Sequence, residues 1–224
     1  MSHPTGLGSQ SPYQRLVEGL EAPEPEAFAS RQAAPGTGRE AAVLVLLGDP
    51  QAPGGPDLLL IERASTLRKH AGQIAFPGGA VDPGESPQQA ALREAYEEVR
   101  LDPATVRVLG ELPAALIQVS AFRVHPIVGT APAAPLSPQP GEVAAVHRVP
   151  LAALADPANR SSWRHSSGRT GPGFSVGDLY VWGFTAYVTD ALLAAGGWEQ
   201  PWDRERFTDI PHRFASDSSQ QGPP

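Results

Sequence analysis

Hydrophobic positions come in runs of strand length along the middle of this chain. Residues 41–47 (AAVLVLL) and 58–63 (LLLIER) are continuous or nearly continuous apolar runs. Residues 107–112, 122–129 and 142–149 are further strand candidates. Residues 180–195 begin as a strand and continue as a helix that Gly196-Gly197 ends. Tyr13, Leu16, Val17 and Leu20 recur at helical spacing within 12–20. A helix is predicted over 87–99, with Ser86 as N-cap, Pro87 at the first helical position and Gln89 reaching back to the cap. The stretches near 131–141 and 155–175 carry many Pro, Gly and Ser and are expected as long loops, which often shape a substrate site. This order of elements predicts an α/β fold, a mixed sheet with helices on its faces.

The flanks read differently. Residues 1–11 are rich in Gly, Ser and Pro and are expected to be mobile. Residues 22–38 are rich in Pro, Ala and Gly and read as a linker or wrapping segment. Gly36-Thr37-Gly38 has the look of a dinucleotide-binding glycine motif, but a strand candidate follows it and no helix does, so that function is set aside. Trp198 and Trp202 precede a polar end. The expected division is an extension over 1–38, a domain over 39–197 and a tail over 198–224.

The charge pattern of the 87–99 helix changes the picture most. At ~100° per residue, Leu92, Ala95, Tyr96 and Val99 share an apolar face, and Glu94, Glu97 and Glu98 fall nearly opposite. Glu94 lies three residues before Glu97 and four before Glu98. Each such like-charge pair costs roughly 0.2–0.5 kcal/mol in an isolated helix. Glu97 and Glu98 also sit near the negative end of the helix dipole. A solvated face would intersperse Lys with these Glu. Local rules broken together point to function. A divalent cation removes the conflict, and an oxygen-only donor set suits Mg²⁺ or Mn²⁺.

Composition narrows the field. The chain has 224 residues, 41% of them hydrophobic, a formal net charge of −7 and no cysteine. An acidic chain is a poor generic binder of nucleic acid or membrane. Without cysteine there is no disulfide, no thiolate metal site and no thiol nucleophile, which suits an intracellular setting. No apolar signal-peptide core and no 18-residue apolar run are present, so a soluble cytoplasmic protein is expected.

Gly79, Glu85, Arg93, Glu94, Glu97 and Glu98 stand at the spacing G-x5-E-x7-R-E-U-x-E-E. Six specified residues match by chance with a probability of about 10⁻⁷ per start position. The segment resembles the box of the Nudix hydrolases, enzymes that hydrolyse a nucleoside diphosphate linked to another group. The resemblance implies an α/β/α sandwich with a mixed sheet, and a Mg²⁺ or Mn²⁺ requirement. It implies Glu94 and Glu98 as the main metal ligands and Glu97 as a ligand or a polariser of water. Arg93 would orient the carboxylates together with Glu85, and a backbone carbonyl near Gly79 would reach the metal. One position departs: the family's helix-ending Gly is Arg100 here. Arg in the left-handed conformation costs about 1 kcal/mol, so a changed helix exit is expected, away from the ligands.

The upstream segment 59–79 is similar to the coenzyme A pyrophosphatase branch of that family. Arg63, Ala64, Arg68, Gly72 and the Phe76-Pro77-Gly78-Gly79 run carry this likeness, and Ile61 stands where that branch has Thr. Downstream, 120–129, Glu142, 149–151 and 182–185 look like the same branch, so the likeness covers roughly 40–195. It implies hydrolysis of coenzyme A or its derivatives to 4′-phosphopantetheine and adenosine 3′,5′-bisphosphate. Arg63, Arg68, Lys69 and His70 could pair with the phosphates or be solvated cations. Gly72, Gly78 and Gly79 could admit phosphate or serve as turns. Phe76 is grouped with them as substrate-binding. Glu97 and Glu142 both stand as candidates for the general base. Another nucleoside diphosphate derivative, such as ADP-ribose, a dinucleotide or NADH, and a non-catalytic nucleotide-binding role are the alternatives. A homodimer is expected from the family alone.

Overall fold

The computed structural model describes residues 13–22, 38–117, 121–165, 168–211 and 214. The expectations for 1–11, for most of 22–38 and for the polar end after 214 lie outside the described residues, as does Ser120. Helix α1 covers Gln14–Glu21, and strands β1 and β2 cover Arg39–Leu47 and Asp57–Arg63. Short strands β3 (Ile74–Ala75) and β4 (Gly78–Ala80) precede helix α2 (Pro87–Val99). Then come β5 (Arg107–Glu111), β6 (Ala115–Ile117), β7 (Phe122–Thr130), β8 (Val143–Pro150) and a short α3 (Leu151–Ala155). The last elements are β9 (Arg160–Arg164), β10 (Thr170–Val176), β11 (Leu179–Val181), α4 (Gly183–Gly196) and β12 (Phe207–Asp209).

The larger sheet is mixed, in the order β3-β2-β1-β7-β5, with β4 on β1, β6 on β7 and β8 on β2. Strand β1 is its axis. It runs parallel to β7 from Arg39 opposite Phe122 to Leu47 opposite Thr130. Its early residues pair antiparallel with β4, and its last with Leu58 of β2. The continuous apolar runs follow from burial on both faces. Ala42, Leu44, Leu46, Leu59 and Ile61 pack against Ala90, Ala91, Ala95 and Val99 of α2. Val45, Leu47, Leu58 and Leu60 face the other way, into a core with Leu16 and Leu20 of α1 and Leu192 and Leu193 of α4. Helices thus cover both sides of the sheet.

The stretch 155–175 is not the long loop expected of it. It holds β9 and all but the last residue of β10, which with β11 and β12 make a second, four-stranded sheet. Gly171, Pro172 and Gly173 interrupt the apolar alternation of β10, yet they pair with Trp163, Ser162 and Ser161 across the strand. Both flanks contribute to the body. Tyr13 donates to the Gly48 carbonyl at 2.6 Å and meets Trp198 edge-on at 6.2 Å. Strand β12 lies parallel to β9. Helix α4 ends in a left-handed Gly197, as the Gly-Gly pair predicts.

Candidate functional site

Helix α2 starts as its sequence dictates. Ser86 accepts from the Gln89 N–H at 3.2 Å, and the Gln89 side chain accepts from the Ser86 N–H at 2.8 Å. The face it buries keeps Ala95, Val99 and part of Leu92 from the expected one but replaces Tyr96. Tyr96 is 49% exposed, whereas Glu98 is 5% exposed and counts with Ala90, Ala91, Ala95 and Val99 among the buried residues of α2. The alanines allow α2 to sit close to β4, and the glycines of β4 complete that approach. A side chain at Gly78 would strike the Ala42 carbonyl and Val43, and one at Gly79 would strike the Glu94 carboxylate. Gly78 and Gly79 are strand positions rather than turns, and both are packed too closely for a side chain.

That closeness builds the carboxylate face. The Gly78 N–H donates to Glu98 Oε2 at 3.0 Å. Arg93 grips Glu85 with a fork, Nε to Oε1 at 3.0 Å and Nη2 to Oε2 at 3.1 Å. The same guanidinium donates to Glu94 at 2.8 Å, to Glu97 at 3.4 Å and to the Ala80 carbonyl at 3.0 Å. Arg93 is therefore the organiser of three of the four Glu in the box, and the Ala80 carbonyl is a further partner that the spacing of the box does not predict. Its fork holds the Glu85 carboxyl below the usual carboxylate range. Glu94 goes the other way: burial raises it, Arg93 opposes that, and the charges of Glu97 and Glu142 add to the rise. Glu98 is pushed up to about 7, mainly by burial, with the Gly78 N–H and Arg63 pulling it down and Glu94 and Glu142 pushing it further up.

Arg63 reaches this face through a break in pairing. The register of β2 against β8 shifts between Glu62 and Arg63, and such a bulge re-aims a side chain. Its Nε is buried and has no hydrogen-bond partner. The following loop turns back on Arg63: its N–H donates to the Gln73 carbonyl, and its carbonyl accepts from the Gly72 N–H, both at 3.0 Å. Gly72 has φ 67, a conformation that glycine takes without strain. Arg68, Lys69 and His70 are exposed on the loop, with the His70 ring 3.2 Å from the Gln73 side chain. Phe76 is corrected: at 4% exposure it belongs to the hydrophobic core and offers no ring to a substrate.

Glu142 comes to the site next to Arg63, just before the β8 residue Val143 that pairs with it. Its carbonyl accepts from the Ala64 N–H at 2.8 Å, its side chain is exposed, and its charge bears on both Glu94 and Glu98. The exit of α2 is also corrected. Arg100 adopts φ 59, ψ 30, the left-handed conformation that glycine would take. Its N–H donates to the Tyr96 carbonyl at 2.9 Å, so the helix end is unchanged in geometry and carries about 1 kcal/mol of backbone cost.

The donor set is all carboxylate, mutually repelling and partly buried, which suits a hard divalent cation. Among the described residues, no three His, Cys, Asp or Glu converge into a closed ligand group. Arg93 and the Gly78 N–H hold these oxygens apart, so Glu94, Glu97 and Glu98 would have to turn toward an ion to share it. No helix among the described residues is long and apolar enough to cross a membrane.

Comparison with known proteins agrees with this geometry. The chain is 52% identical over 116 residues to a protein of Cronobacter sakazakii named uncharacterized Nudix hydrolase NudL, a match covering 51% of this chain and 58% of that one. The Escherichia coli protein of the same name is 50% identical over 117 residues, with the same coverage. The match thus spans less than two thirds of these relatives. The fold is similar to the crystal structure of RenU, a Nudix hydrolase of M. smegmatis, at a TM-score of 0.51 and 22% identity over 76% of this chain and 100% of that one. The family described as NUDIX domain matches residues 38–167, from the start of β1 through the α2 carboxylates and past Glu142 to β9, and this chain belongs to that family.

Proposed function

We propose that this protein hydrolyses the diphosphate of coenzyme A or its derivatives, giving 4′-phosphopantetheine and adenosine 3′,5′-bisphosphate. The observation that carries the reading is the meeting of two elements at one place. The α2 carboxylates, ordered by Arg93, stand near enough to Arg63 for its charge to act on Glu98, and the buried Arg63 Nε has no hydrogen-bond partner. A diphosphate needs both: a cation held by carboxylates and a guanidinium for its remaining charge. The upstream segment in which Arg63, Arg68 and Gly72 stand, with its likeness to the coenzyme A branch, supports this substrate over other nucleoside diphosphates.

Glu94, Glu97 and Glu98 would hold the cation, Mg²⁺ or Mn²⁺. When bound, it supplies charge neutralisation and makes water more acidic. Arg93 keeps the carboxylates in order and leaves Glu98 facing β4. Arg63 binds the substrate phosphates. Glu142, exposed and close to the cluster, takes a proton from the attacking water, and Glu97 is the second candidate for that role. The oxygen of water bonds to one phosphorus, the bridging P–O bond breaks, and the second phosphate leaves with the electron pair. A non-catalytic role rested on Arg100 as a defect of the box. Arg100 keeps the left-handed exit, so that alternative loses its support.

The test is turnover of coenzyme A with Mg²⁺ or Mn²⁺, with product analysis, for the wild type and Glu98→Gln. A drop in kcat of about 10³-fold or more is expected. Undiminished turnover would sink the metal assignment. Dephospho-coenzyme A should have a lower kcat/KM than coenzyme A; a higher one counts against this substrate.

A further inference from the structure

Gln139 joins the helix that carries the carboxylates to the loop that carries Glu142. Its N–H donates to the Glu98 carbonyl at 2.8 Å, beside a bond from the Ser137 N–H to the Val99 carbonyl at 2.9 Å. Its own carbonyl accepts from the N–H groups of Glu142 and Val143 at 3.2 and 3.0 Å. Any shift of Gln139 against α2 therefore moves Glu142 against Glu94 and Glu98. The backbone bonds of this joint need no particular side chain. The remaining bond does: Arg100 Nη2 donates to Gln139 Oε1 at 2.8 Å. The Arg100 guanidinium also lies over the Tyr96 ring at 5.5 Å, which braces it against the helix.

Position 100 has φ 59, where glycine fits without strain. The chain instead places there a long cation, and that cation reaches the residue on which the Glu142 loop turns. We propose that Arg100 is a positioning residue, acting through Gln139 to hold Glu142 at its distance from the α2 carboxylates. This rests on the reading of Glu142 as proton acceptor given above. The family's glycine secures the helix exit only. Arginine accepts an unfavourable backbone and adds a tie between helix and loop.

Three measurements on the full chain test this: amide hydrogen exchange over 137–143 without metal, the thermal midpoint, and kcat and KM on coenzyme A with Mg²⁺. The variants are Arg100→Gly, Gln139→Ala, the double variant and Arg100→Lys. In Arg100→Gly, exchange over 137–143 should quicken about threefold or more. Its thermal midpoint should equal or exceed that of the wild type, because glycine relaxes the left-handed exit. Its kcat should fall about 10-fold with KM within about twofold, since a misplaced base affects turnover and not binding. Gln139→Ala should match it, and the double variant should be no worse than either. Arg100→Lys should recover part of the loss, through a single donor. Unchanged exchange in Arg100→Gly overturns the proposal, as does a fall in midpoint and kcat together, which is the mark of a merely structural role. A wild type that cleaves no coenzyme A defeats the proposed function separately, and exchange with midpoint still decides the tie.

Discussion

Glu98 on α2 is 5% exposed and Arg160 on β9 is 0% exposed, and the two sheets surround these charges differently. Arg160 is ion-paired to Asp190, and its guanidinium lies over the rings of Phe174 and Trp202, each at 4.5 Å. Its backbone carbonyl accepts from Arg206. Glu98 has one backbone N–H and the more distant charge of Arg63 in its favour, against burial and two carboxylates, Glu94 and Glu142, that raise its pKa. Buried charges are ordinarily paired. The second sheet meets the charge of Arg160 with a protein carboxylate and two rings, although its Nε and Nη1 have no hydrogen-bond partner. The larger sheet leaves a deficit of positive charge, which a cation from solution can fill. Burial alone does not separate structure from function here; the company of the buried charge does.

Removing each charge should therefore have opposite consequences. Arg160→Met leaves Asp190 without its partner and should destabilise the fold by about 3 kcal/mol or more, measured by urea unfolding. Hydrolysis per folded molecule should stay at the wild-type value. A neutral effect on stability, or a specific loss of turnover, would erase the contrast.

The second consequence concerns pH. Burial lifts the Glu98 carboxyl from 4.5 to about 7. Between those values the folded protein keeps a proton that the unfolded chain has released. Stability of the metal-free protein is thus fully present below about 4.5 and declines as pH rises to 7, by on the order of 3 kcal/mol. The raised Glu94 acts in the same direction. Glu40 and Glu85 are lowered and act with the opposite sign, at pH values below that window. Glu98→Gln should flatten the decline and raise stability near neutral pH. Equal pH slopes for the two proteins would show that Glu98 carries no such strain.

Much of this site was legible from residue order alone. Ser86, Pro87 and Gln89 fixed where α2 begins, and the box fixed which carboxylates ride on it. The burial of Glu98 was not legible, because a helical wheel grants Tyr96 the core on hydrophobicity. The close approach of β4 through Gly78 and Gly79 decides otherwise, and small alanines take that face. The second sheet was hidden for a related reason. Gly171, Pro172 and Gly173 read as loop, and only their pairing with β9, far apart in character from any alternating strand, makes them sheet. The Arg100 exit was misjudged from local cost. About 1 kcal/mol is too little to move a helix end whose bonds to 137–139 are already made.

Whether the α2 carboxylates are held for a divalent cation can be read from calorimetric titration of Mg²⁺ at about pH 6.5, in two buffers of different ionisation heat. The wild type should bind Mg²⁺ with release of a proton, and Glu98→Gln should lose both binding and proton release. Equal Mg²⁺ affinity in the two proteins, with no proton released, would contradict that role for the carboxylates.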